Sequence, residues 1–172
     1  MAAAESKFMS QTNNESANIS GDRTINRMDI SKGFQIERPK VFVPWDITET
    51  QFEDTFDVLH LRRVAPGYFT IHCTSLEGLP HELGFHFHPQ KNGRLVEFEF
   101  FRASCSDLAE SYQQFQRHLE ATFGKPTITL PGSEGYPSHT WRFPGVEVLH
   151  LVEEHFGPTE YVRIKRTVGI IH

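Results

Sequence analysis

The segments Phe85-His86-Phe87-His88 and Glu97-Phe98-Glu99-Phe100 alternate aromatic and polar residues on either side of Asn92-Gly93. Alternation with a period of two marks strands with one buried face. Asn-Gly tolerates the positive φ angles of a two-residue type I′ turn, so the three pieces read as a β-hairpin. With that turn central, His88 faces Glu97, Phe87 faces Phe98, His86 faces Glu99 and Phe85 faces Phe100. The four phenylalanines then share one side, and His86, His88, Glu97 and Glu99 share the other. A one-residue slip would mix the two sets. Pro89 has no N–H for the ladder and fits a wider loop. A chain with such a hairpin must also supply a layer that covers the phenylalanine side.

Two helices are expected to do this. Thr48 and Gln51 have the form of a capping box, and Phe52, Phe56 and Leu59 then fall on one helical face. Asp107 and Glu110 repeat the capping logic. Leu108, Tyr112, Phe115 and Leu119 form the second helical stripe, ended by Gly124 and Pro126. Phe34-Gln35-Ile36 and Val41-Phe42-Val43 read as short edge strands. Strands are predicted at 68–73, 83–88 and 95–101 after the first helix. Three more are predicted at 139–143, 146–152 and 160–166 after the second. In the last group, Trp141 should face Val148, and Arg142 should face Glu147. The expected fold is α+β: a predominantly antiparallel sheet of about six strands, with both helices packed on one face. Its two successive halves each run helix, then three strands. Phe85, Phe87, Phe98, Phe100, Leu108, Phe115, Leu119, Trp141 and Val148 are the expected core.

Composition narrows the class. The 172 residues carry a net charge of −5, which disfavours nucleic acid as a partner. No run approaches the ~20 apolar residues of a membrane span. The first residues lack a basic region followed by an apolar run, so the expected compartment is the cytosol. Cys73 and Cys105 are too few for a disulfide framework and read as reduced thiols, a single bridge being the alternative. Residues 1–27 are rich in Ser, Asn, Gln and Glu and read as a disordered tail. Residues 28–172 read as a single α+β domain.

The sharpest chemical candidate is the polar side of the hairpin. His86, His88, Glu97 and Glu99 offer nitrogen and carboxylate ligands suited to a divalent metal. A glutamate there can instead tune a histidine as a general base. The structural alternative is a solvated face of cross-strand His–Glu pairs. His72 and His150 fall on other predicted strands and are further candidates for the cluster. No nucleophile elbow and no phosphate loop is present, and no Cys–His motif is visible. No dedicated cofactor is expected.

Phe123-Gly124-Lys125-Pro126, then Trp141, then Val146-Glu147-Val148, then Tyr161-Val162-Arg163-Ile164, give residues 107–166 a recognisable cadence. It resembles small bacterial α+β proteins of the immunity and inhibitor type. The resemblance is structural and implies a protein-binding role. The expected function is therefore a soluble protein-binding module, in its most concrete form an immunity-type inhibitor of a basic bacterial toxin. Glu97, Glu99, Glu147, Glu153 and the 127–138 loop are the expected contacts. A metal-assisted hydrolase and a structural scaffold subunit are the alternatives.

Overall fold

The computed structural model describes residues 28–56, 60–89, 93–102, 107–154 and 156–167. Strands β1 (Gly33–Ile36) and β2 (Val41–Pro44) pair as a separate two-stranded sheet. Helix α1 (Glu49–Thr55) leads into β3 (Arg62–Ala65), β4 (Tyr68–Ser75), β5 (Leu79–Phe87) and β6 (Leu95–Phe101). Helix α2 (Leu108–Phe123) leads into β7 (Ile128–Leu130), β8 (Ser138–Phe143), β9 (Val146–Glu154) and β10 (Pro158–Arg166). Strands β3 to β10 form one antiparallel sheet of eight, in the order β3-β4-β5-β6-β10-β9-β8-β7. Each half is a helix followed by a four-strand meander, and the last strands of the halves, β6 and β10, join them at the centre.

The sheet thus exceeds the six strands expected. All six are present, and the additions are the two edge strands. Every residue of β3 is exposed, so it carries no alternating hydrophobic signal. β7 is three residues long and lies inside the segment read as a loop.

The hairpin of β5 and β6 keeps its expected faces but not its expected register. His86 faces Glu97, Phe85 faces Phe98 and Leu83 faces Phe100. The ladder is shifted by two residues and is irregular between His86 and Phe87. β5 ends at Phe87, two residues before Pro89, so the loop is wider than two residues. Asn92 lies outside the described residues. A shift of two restores the period of the strand, so no side chain changes face. Phe85, Phe87, Phe98 and Phe100 are all buried. In the second half, Trp141 faces Val148 and Arg142 faces Glu147, as expected.

The covered face belongs to the helices. Thr48 and Gln51 form the capping box, with the Gln51 side chain accepting from the Thr48 N–H at 3.0 Å. α1 stops after seven residues because Phe56 is extended, and Leu59 lies outside the described residues. A helix this short has little stability of its own. The Phe52 ring holds it down, with centroids 4.5 Å from Phe85, 5.2 Å from Phe87 and 5.5 Å from Phe69. On α2, the Asp107 carboxylate accepts from the Ala109 and Glu110 N–H groups, and Gly124, at φ 82°, ends the helix. Tyr112, Phe115, Leu119 and Phe123 are buried, whereas Leu108, in the first turn beside exposed Asp107, is only half-buried. Phe34 and Trp45, from the β1–β2 region, pack on Phe98 at 5.3 and 4.8 Å. Trp141 donates its Nε1–H to the Gly124 carbonyl at 2.7 Å, tying the end of α2 to the sheet.

The β4–β5 turn is held from outside. Leu76, Glu77 and Gly78 all have positive φ (53°, 57° and 89°), a cost for the two non-glycine residues. The Glu37 carboxylate offsets it by accepting from the Glu77 and Gly78 N–H groups at 2.8 and 3.0 Å.

Candidate functional site: the open face of the sheet

Helices α1 and α2 and the β1–β2 pair lie on one side of the large sheet. Among the described residues, no element covers the other. Burial shows the asymmetry directly: β9 alternates buried and half-buried residues along most of its length. The half-buried set of the central strands forms the open face.

Strand β10 supplies its centre. Arg163 lies opposite Glu99 on β6 and Leu149 on β9. Lys165 lies opposite Glu97 on β6 and Glu147 on β9. A cationic column thus runs beside the acidic pair of β6, with Leu149 and Glu147 on its other side. The Arg163 guanidinium meets Glu99 at 3.0 Å and Glu97 at 3.5 Å, and Lys165 meets Glu97 at 3.4 Å. His86 Nε2 meets the second Glu99 oxygen at 2.9 Å. Tyr68 stacks on the His86 ring at 4.2 Å, in the space that Gly84 leaves by having no Cβ. Glu97 and Glu99 side chains are only 17 % and 13 % exposed, so their pairing is stronger than that of ordinary surface ions. Burial alone would raise the Glu99 carboxyl, but the His86 hydrogen bond and the Arg163 charge outweigh it and hold the group below its usual range.

Beside this network apolar and charged side chains mix. A shallow depression of about 260 Å³ is lined by Leu149, Leu151, Glu153, Tyr161, Arg163 and Lys165. Arg163 borders both parts, its guanidinium 4.8 Å from the Tyr161 ring centre. A larger cleft of about 670 Å³ lies beside α1, between Phe42, Asp46, Asp54 and Arg94. It contains none of the residues that the sequence marks as candidates.

The structure gathers His86, Glu97 and Glu99, whose ligand atoms lie within 4.8 Å of one another. His88 is not part of that group: it is exposed, past the end of β5, with its N–H donated to the Arg94 carbonyl. His72 is on the open face opposite Glu82. His150 is fully buried on the covered face. Of the acidic contact candidates, Glu97, Glu99, Glu147 and Glu153 all alternate onto the open face. Glu97 and Glu99 are paired as described, Glu147 pairs with Arg142 at 3.3 Å, and Glu153 is exposed near the tip of the β9–β10 hairpin.

Two buried polar groups escaped the sequence reading. Ser75 Oγ, on β4, donates to His81 Nε2 at 2.6 Å, and His81 Nδ1–H meets the Glu82 carbonyl at 3.2 Å. Cys73 Sγ is 3.8 Å from the same ring. The spacing suits a nucleophile and base, but the surroundings do not. Burial pushes the His81 imidazole down to about 4 and the Cys73 thiol up to about 12. At neutral pH both are uncharged, and Ser75 is fully buried. The signal available was the Glu77-Gly78 turn, which places Cys73 opposite His81. The second group surrounds His150 and is described below.

No protein-family model matches the chain. No curated protein matches it either. Among solved structures, the chain is similar to a DUF4309 family protein (YjgB) from Bacillus subtilis subsp. subtilis str. 168. Identity is 13 %, the match covers 70 % of this chain and 78 % of the other, and the TM-score is 0.40. Among the described residues, no helix is long and apolar enough to cross a membrane.

Proposed function

We propose that the chain is a protein-binding module and that the open sheet face is its contact surface. The observation that carries this reading is the depression lined by Leu149, Leu151 and Tyr161 together with Arg163, Lys165 and Glu153. Aromatic and apolar side chains interleaved with arginine are a common composition of a protein contact. In its most concrete form the module is an immunity-type inhibitor of a basic bacterial toxin. Glu97 and Glu99 are neutralised by Arg163 and Lys165, so attraction of a basic partner falls to peripheral acids such as Glu153.

The test pairs this protein with a basic secreted toxin encoded beside it. Co-purification and protection of the host are expected. Leu151→Asp and Tyr161→Ala should each weaken binding about tenfold or more, whereas Phe42→Ala, in the covering layer, should not. A lack of both complex and protection would overturn the inhibitor reading.

The 4.8 Å grouping of His86, Glu97 and Glu99 favours a second reading, a divalent metal and a hydrolytic role. A dication there must compete with Arg163 and Lys165 for the same carboxylate oxygens. Elemental analysis of untagged protein separates the two readings.

A further inference from the structure

Among the described residues the large sheet ends in two edge strands, β3 and β7, and they differ in kind. β3 is guarded. It carries Arg62 and Arg63, and its ladder to β4 is irregular between Arg63 and Ala65. Glu82 holds the Arg62 guanidinium at 3.2 Å and Glu49 holds that of Arg63 at 2.9 Å, so fixed cations stand along the strand. Charge and a bulge are the usual means of keeping an edge from pairing with another chain. β7 has neither. Ile128-Thr129-Leu130 carries no charge and pairs with β8 in unbroken register. Among the described residues no strand lies beyond it, and Leu130 is 58 % exposed.

The residues of β7 complement themselves in reverse. A two-fold axis through Thr129, normal to the sheet, sets a second β7 antiparallel to the first. Thr129 then faces Thr129 of the second copy, and Ile128 faces Leu130 on either side of the axis. Apolar pairs and Thr–Thr pairs are both favourable across strands. The faces also agree. Ile128 and Leu130 lie on the open face, and Ile128 is in line with Thr140 of β8 and Leu149 of β9. Thr129 lies on the covered face, with its Oγ1 3.0 Å from His139 Nδ1. A one-residue slip would set an open-face residue against a covered-face one. A two-residue slip would carry the pairing onto Thr127 or onto Pro131, which has no N–H to give.

We propose that β7 is a self-association edge, at which two copies of the chain join their sheets about an axis through Thr129. The apolar residues of the two open faces then run on across the junction, from Leu149 and Ile128 of one copy to Leu130 of the other. A pairing three residues long buries less than the roughly 1,200–2,000 Å² of a standard interface, so the dimer is a weak one, with a Kd on the order of tens of micromolar. The junction lies outside β8, so the depression around Leu151 and Tyr161 stays open to another partner.

The experiment is sedimentation equilibrium of the full chain from about 5 to about 500 μM, a range that brackets this Kd. The mass should rise from one chain toward two. Thr129→Lys and Thr129→Glu each set like charges face to face at the axis and should weaken association about tenfold. An equimolar mixture of the two variants sets opposite charges face to face and should restore it. A single-chain mass throughout, undiminished association of either variant, or a mixture that stays monomeric would overturn the proposal. Leu151→Asp disables the contact surface proposed above and should leave the dimer unchanged, so the two readings fail separately. Loss of the dimer in that variant would place self-association on the open face and overturn the edge. Should the Thr129 variants not fold, amide hydrogen exchange of the natural protein decides. Protection of 128–130 should rise with concentration while that of 62–65 stays constant, and equal behaviour of the two edges overturns the proposal.

Discussion

Glu160→Ala should lower folding stability by about 3–5 kcal/mol, measured by urea unfolding at neutral pH. The carboxylate touches His150 at 2.7 Å and Ser111 at 2.5 Å, and its side chain is 11 % exposed. Removing it leaves the Nε2 of a fully buried imidazole and a buried hydroxyl without their hydrogen-bond partner. The loss is large because the partner stays behind; replacing the whole cluster with apolar residues would cost far less. A loss below about 1 kcal/mol would be that of an ordinary surface pair and would mean that water reaches His150 in solution.

Phe52→Ala should cost about 3–5 kcal/mol in the same assay. Its ring is the main anchor of a seven-residue helix and meets three strand phenylalanines within 5.5 Å. The cavity would lie at the centre of the covering layer, where the short helix has no second buried residue to hold it. Phe42→Ala, at 45 % exposure in the same layer, should change stability by only about 0.5 kcal/mol or less. Equal effects at the two positions would contradict the assignment of the covered face.

Much of this architecture was legible because the period of a strand is two. Phe85, Phe87, Phe98 and Phe100 were placed on the buried side from alternation alone, and a two-residue error in register left that placement intact. The register itself depended on the loop, which the Asn-Gly signal made too tight for a chain with Pro89 at its start. The short Pro144-Gly145 turn left no such latitude, and the Trp141 and Arg142 pairings followed from it. Edge strands β3 and β7 were illegible for a different reason. Their residues make backbone pairs without burying a face, so composition carries no trace of them.

The candidate site was legible in part: three of its four residues are gathered, and His88 lies outside the group. His86, Glu97 and Glu99 do come together. The cations beside the acidic pair of β6 come from β10, some 60 residues later in the chain, and only strand order could reveal them. In the sequence Arg163 and Lys165 are two basic positions on the predicted 160–166 strand, with nothing local to pair them. On the sheet they neutralise the glutamates that otherwise suggest a metal or a basic partner. The His150 cluster was hidden for the same reason: its members lie on β8, β9, β10 and α2, and no local spacing joins them.

The central claim, that one sheet face is covered and the other open, is tested most directly by hydroxyl-radical footprinting of the full-length protein alone. Tyr161, Leu149 and Leu151 should be modified readily, while Phe85, Phe98 and Phe52 should stay protected until the protein unfolds. Protection of Tyr161 and Leu151 in the isolated chain would contradict the account, because some other part of the protein would then already occupy the surface assigned to a partner.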